Sequence, residues 1–155
     1  VSFDVSDVVS SAVELCRVVD RESGAIQVGA QPSVTTFGDP TQIRMILVNL
    51  IKNALDATDG HDNRRVIVRM SINDSVMVEV LDNGPGVSAD MASTLFEPFS
   101  SSKQRGLGIG LSICKTIAEG HGGRLYYTSP SDQADGLGGA TFTLELPLAK
   151  EERDV

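Results

Sequence analysis

The stretch from Asp39 to Asp59 constrains the fold more than any other. Asp39 is placed to cap a helix, Pro40 falls at the first helical position, and Gln42 sits three residues after the cap, as in a capping box. Ile43, Ile46, Leu47, Leu50, Ile51 and Ala54 then recur at the spacing of a single helical stripe. The spacing predicts a helix over 39–59 that ends before Gly60, with an apolar face that must lie on another apolar layer.

The rest of the chain offers that layer. Arg65–Ile72 and Val76–Leu81 alternate or run apolar on either side of Asn73, Asp74 and Ser75, a hairpin signal. Thr141–Leu146 alternates as a last strand, Arg124–Thr128 reads as a strand, and Ala25–Val28 and Ser33–Phe37 as shorter ones. Apolar residues from Val8 to Val19 predict an amphipathic helix over 6–20, and Leu111, Ile113, Cys114, Ile117 and Ala118 another that stops at Gly120. Ser88 is placed to cap a short helix, and residues 129–139 read as a Gly/Ser/Asp-rich loop. Helices and strands mix without strict βαβ alternation, so the expected class is α+β, a two-layer sandwich. A chain of 155 residues with 41% hydrophobic content holds one such domain, here 1–150, followed by a charged tail, 151–155, expected to fray.

Composition excludes several functions. A formal net charge of −8 and no basic run longer than Arg64-Arg65 repel phosphate backbones, so nucleic acid is not an expected partner. Cys16 and Cys114 lie in apolar helical patterns with no second Cys or close His, which predicts buried thiols of a reducing compartment. No apolar run approaches the ~20 residues that span a bilayer, and the start VSFDVSDVV lacks a signal peptide's basic residues. The expected location is cytoplasmic, without direct membrane contact, whether or not a larger parent is anchored.

Several polar positions stand out. Asn49 and Asn53 are four apart on the 39–59 helix, so both amides leave one ridge, with Lys52 and Asp56 near it. They read either as a solvated flank or as neutral oxygen donors to Mg²⁺, which accepts mixed amide, water and phosphate oxygens. Asp82 ends an apolar strand and opens DNGPGV, which is either an ordinary turn or an acceptor for a base amine with Gly84 and Gly86 admitting a flat ring. Gly106, Gly108 and Gly110 alternate ahead of a helix, a hinge or a cradle of N–H groups for phosphate. Neither the phosphate-loop spacing nor GxGxxG after a strand is present.

In chain order, NLIKNALDA (49–57), DNGPGV (82–87), LFEPF (95–99), GLGIGLSI (106–113) and GGATFTLELP (138–147) resemble the N, G1, F, G2 and G3 boxes of the ATP-binding catalytic domain of bacterial sensor histidine kinases. The resemblance spans about 36–148. It implies the Bergerat-type sandwich shared with gyrase and heat-shock-90 chaperones, a mixed sheet backed by three main helices with ATP between sheet and lid. Carried onto this chain, it makes Asn53 and Asn49 ligands of Mg²⁺ and phosphate, with Lys52 beside them. It makes Asp82 the adenine acceptor, with Gly84 and Gly86 lining the base and Thr141 reaching the adenine side through water. Gly106, Leu107, Gly108 and Gly110 flank the lid, and Lys103 or Arg105 is placed to reach the phosphates.

The resemblance also separates relatives. Hydrolysing members carry a Glu four residues before the box asparagine to activate water, and here that position is Asn49, which cannot take a proton. That argues for a kinase over a slow ATPase, and five intact boxes argue against a docking module that ignores nucleotide. A sensor kinase also needs an acceptor histidine on a dimerising helix. His61 lies in a polar loop and His121 in the turn EGHGG, and neither context matches. The expected partners are therefore dimerisation and phosphoacceptor helices of a homodimeric parent, N-terminal to Val1, and a response regulator downstream. The isolated domain is expected to be a monomer with no catalytic acid or base of its own.

Overall fold

The helix expected over 39–59 is α2 (Pro40–Ala57) in a computed structural model of the chain, which describes residues 1–19, 24–60, 62–97, 110–129 and 137–149. Asp39 caps it, Oδ1 accepting from the Thr41 N–H at 2.9 Å and the Gln42 N–H at 3.4 Å. At its other end Arg64 donates to the Leu55 carbonyl at 2.9 Å, satisfying an acceptor the helix leaves open. Ile43, Ile46, Leu47, Leu50 and Ile51 are fully buried.

The stripe lies on a mixed five-stranded sheet in which β2 (Ile26–Val28), β4 (Val66–Ile72), β5 (Ser75–Asp82), β7 (Thr141–Pro147) and β6 (Arg124–Thr128) follow in that spatial order. Among the described strands, only β2 and β4 run parallel. The register pairs Val66 with Asp82, Val80 with Phe142 and Leu125 with Leu144. Cross-strand partners share a face, so these residues other than Asp82, with Val68, Val76, Val78 and Leu146, make the apolar side turned to the helices, and Asp82 stands at its edge. There α2 meets β4 and β5, α4 (Leu111–Gly120) covers β6 and β7 and touches α2, and α1 (Val5–Val19) packs on α2. The expected α+β sandwich with three main helices is what forms. The short α3 (Ala89–Ala92) is capped by Ser88, whose Oγ accepts from the Met91 N–H at 3.3 Å.

One element had no signal in the sequence. β1 (Ser2–Asp4) pairs antiparallel with β3 (Thr35–Phe37) in a separate two-stranded sheet, and three residues are too few to show alternation. The strand expected from Ser33 starts later because Ser33 and Val34 serve Asp4 instead. Asp4 Oδ1 accepts from the Ser6 N–H at 2.9 Å and the Val34 N–H at 3.2 Å, while Oδ2 accepts from the Ser33 hydroxyl. Hydrogen bonds from Ser33 and then Ser6 hold the Asp4 carboxyl down at about 2.

Both cysteines are buried, as expected. Burial pushes the Cys16 thiol up to about 11 against a smaller opposing pull from Lys52, and burial also raises Cys114. Among the described residues, no helix is long and apolar enough to cross a membrane. His61 and residues 151–155 lie outside the described residues.

Candidate nucleotide site

Strand β5 ends on Asp82, which is only 3% exposed and projects from the helix side of the sheet, opposite Val66. Its Oδ1 accepts from the Gly84 N–H at 2.9 Å and the Ala140 N–H at 3.2 Å. The main chain closes the same clamp: the Asp82 N–H donates to Ala140 O at 3.0 Å, and the Gly139 N–H donates to Asp82 O at 3.1 Å. A buried carboxyl at a strand end is thus fixed from both sides, by its own following turn and by the entry to β7.

The glycines here do separate jobs. A Cβ on Gly84 would stand 2.6 Å from the Ala57 carbonyl oxygen at the end of α2, so only glycine lets the turn close on that helix. Gly86 has φ +75, the left-handed conformation that reverses the chain. Between strand and turn, Asn83 Oδ1 accepts from the Arg65 N–H at 2.9 Å, and its Nδ2 donates to the Asn63 carbonyl. These bonds tie DNGPGV to the start of β4.

Asn49 and Asn53 leave one ridge of α2, both half-buried. Asn49 Nδ2 donates to Cys114 Sγ on α4 at 3.4 Å, and Asn53 makes no hydrogen bond among the described residues. Among the described residues, no three of His, Cys, Asp or Glu stand together as a metal site. The ridge thus offers a cation the amide oxygens of Asn49 and Asn53, with the exposed Asp56 three residues on, a set that fits a hydrated divalent cation already carrying phosphate oxygens. Lys52 is one residue round the helix, on the flank toward α1, where its charge acts on the Cys16 thiol.

The aromatic of the 95–99 segment joins the site to the sheet. Phe96 stands edge-on to Phe142 of β7 with ring centroids 6.4 Å apart, and the Lys115 ammonium lies 5.5 Å from its ring centre. Gly110 caps α4 in extended conformation, with space around it. Lys103, Arg105, Gly106, Leu107, Gly108 and Phe99 lie outside the described residues.

Two further residues can be placed, Thr141 and His121. Thr141 pairs with Leu81, one residue along from Asp82, so it projects from the opposite face of the sheet. The atoms beside the Asp82 carboxyl belong instead to Gly139 and Ala140, which sequence reasoning quoted as part of a motif without giving them a role. His121 ends α4 as a fully used turn residue. Its Nε2 accepts from the Asp39 N–H at 3.0 Å, so the neutral ring carries its proton on Nδ1, 2.8 Å from the Ile117 carbonyl.

Residues 38–150 match the family described as histidine kinase-, DNA gyrase B-, and HSP90-like ATPase. The chain belongs to that family. Within it, the chain is 41% identical over 117 residues to the sensor protein FixL of Bradyrhizobium diazoefficiens, covering 74% of this chain and 22% of that protein. It is 37% identical over 118 residues to the sensor histidine kinase TmoS of Ectopseudomonas mendocina, covering 73% of this chain and 12% of that one. The chain thus spans less than a quarter of the length of either relative. The nucleotide-free catalytic domain of the histidine kinase ThkA superposes with a TM-score of 0.79 at 26% identity, covering 99% of this chain and 98% of that domain. The sandwich and the order of its motifs are those of an ATP-binding domain of the histidine-kinase branch of this ATPase family.

Proposed function

We propose that residues 1–150 form the catalytic part of a sensor histidine kinase, binding Mg-ATP and donating its γ-phosphoryl group to a histidine on the dimerisation and phosphoacceptor helices of a homodimeric parent. The observation that carries this is the Asp82 carboxyl, buried at a strand end and clamped by the Gly84 and Ala140 N–H groups. Such a group reads the exocyclic amine of adenine, beside the turn that Gly84 and Gly86 form. Asn53 and Asn49 would hold Mg²⁺ through their amide oxygens, and the ion supplies charge neutralisation on the phosphates.

The chain's own part in the chemistry is positioning. Asp82 orients the base and the α2 ridge orients the phosphates, and the resemblance to the kinase motifs assigns Lys103, Gly106, Gly108 and Gly110 to the phosphates as well. The γ-phosphorus then stands in line with an incoming histidine nitrogen: a P–N bond forms, the bond to the βγ-bridging oxygen breaks, and ADP leaves. Asn49 in place of a carboxylate supplies no base for water, which favours transfer over hydrolysis. His121 is no acceptor in this reading, since both of its ring nitrogens are engaged, Nε2 with the N–H of Asp39, which caps α2, and Nδ1 with the Ile117 carbonyl of α4. The phosphorylated histidine would pass its group to a response regulator, and the whole arrangement belongs to the cytoplasm.

The test is a thermal melt with and without a non-hydrolysable ATP analogue and Mg²⁺. At ~100 times Kd, binding adds about 2.7 kcal/mol, or roughly 5–10 °C for a domain of this size. Asn53→Ala should keep the apo melting temperature and lose the Mg-dependent part of the shift. A wild-type chain unmoved by millimolar nucleotide, or an Asn53→Ala chain with the full shift, overturns the assignment. Transfer is then read by adding a separate phosphoacceptor domain.

A further inference from the structure

Cys114 is fully buried in α4, the helix that follows the glycine-rich segment, and it meets α2 at one polar atom: its Sγ accepts from Asn49 Nδ2 at 3.4 Å. The two residues are 65 apart in the chain, and the contact joins α4 to the Asn49 and Asn53 ridge of α2. An amide is planar, with its NH₂ and oxygen as the two limbs of one fork. Fixing the NH₂ on a buried sulfur therefore also fixes the direction of the oxygen. Away from water, a weak sulfur acceptor is worth more than at the surface, because solvent offers the NH₂ less competition.

We propose that Cys114 is the positioning residue for Asn49, holding its NH₂ on α4 so that the amide oxygen is presented to the nucleotide-bound cation. The role rests on the nucleotide reading given above. It makes two demands: position 114 must offer an acceptor, and it must fill the space that Cys114 fills. Serine meets the first with a smaller atom, valine meets only the second, and alanine meets neither. Burial keeps the thiol protonated and unreactive, so the sulfur acts only as a hydrogen-bond partner.

The experiment compares wild type, Cys114→Ser, Cys114→Val and Cys114→Ala for affinity toward a non-hydrolysable ATP analogue with saturating Mg²⁺ and with EDTA. The readout is the gain in affinity that Mg²⁺ confers. Valine and alanine variants are expected to lose about tenfold of that gain with little change in EDTA, and serine to stay within about twofold, as expected for one hydrogen bond. A second readout needs no nucleotide. The Asn49 side-chain NH₂ signals in the ¹H–¹⁵N spectrum of the free chain, assigned through Asn49→Ala, should shift in Cys114→Val and hold nearer their place in Cys114→Ser. A folded valine variant with wild-type Mg²⁺ gain overturns the proposal, and so do NH₂ signals that ignore residue 114. A wild type without any Mg²⁺ gain refutes the nucleotide site itself and is recognised separately, because the spectrum still reports whether the contact exists.

Discussion

Replacing Gly139 by alanine is the sharpest test of how the site is built. A Cβ there would stand 2.4 Å from Asp82 O, 2.4 Å from Asp82 Oδ1 and 2.7 Å from Gly84 N. Ordinary non-bonded contact begins near ~3.5 Å, so the methyl intrudes by about 1 Å on atoms with no free rotation to escape. Two are backbone, and the third is a carboxyl oxygen already held by two N–H groups. Overpacking of this kind costs about 1–3 kcal/mol. Relief by moving the strand entry strains the Gly139 to Asp82 and Ala140 to Asp82 hydrogen bonds, each worth about 1 kcal/mol. The sum is about 3 kcal/mol, or roughly 6–12 °C in melting temperature for a domain of this length. The assay is a melt and a urea titration of the nucleotide-free chain, in which Cm should fall with m unchanged. Gly120→Ala is the control: it ends α4, nothing lies within 4 Å of a Cβ there, and it should be neutral or stabilising by up to about 1 kcal/mol. If Gly139→Ala melts within about 1 °C of wild type and binds nucleotide equally, the clamp on Asp82 is not what holds the site.

Other expectations follow from contacts elsewhere. The Asp4 carboxyl sits at about 2 when folded, below its ordinary value of 3.8, so its contribution is full above pH 4 and is lost as pH falls through 2. Acid titration of stability should steepen in that window, and Asp4→Asn should flatten it. His121→Ala leaves the Asp39 N–H and the Ile117 carbonyl without their ring partner and should cost about 1–2 kcal/mol in urea denaturation. Both thiols should resist a disulfide-exchange reagent in the native chain and react in denaturant, since Cys16 and Cys114 are fully buried and burial raises both.

The sequence by itself determined what depends on near neighbours. The Asp39 cap, the position of Pro40, the α2 stripe and the β4–β5 hairpin rest on interactions a few residues long, and each element formed within a residue or two of its expected place. The motif order pointed to the family and to Asp82 for the same reason: a strand end and a glycine turn are local signals. The chain's pattern did not show β1, whose partner β3 lies more than thirty residues on, nor the role of Gly139 and Ala140, which exists only because β7 enters beside the end of β5. The face occupied by Thr141 depends on the register of that pairing, and a one-residue step in a strand reverses the side. The Cys114 contact with Asn49 and the His121 bond to Asp39 join residues 65 and 82 apart, where periodicity carries no information. Local chemistry chose the elements and named the acceptor, and packing decided which backbone atoms hold it.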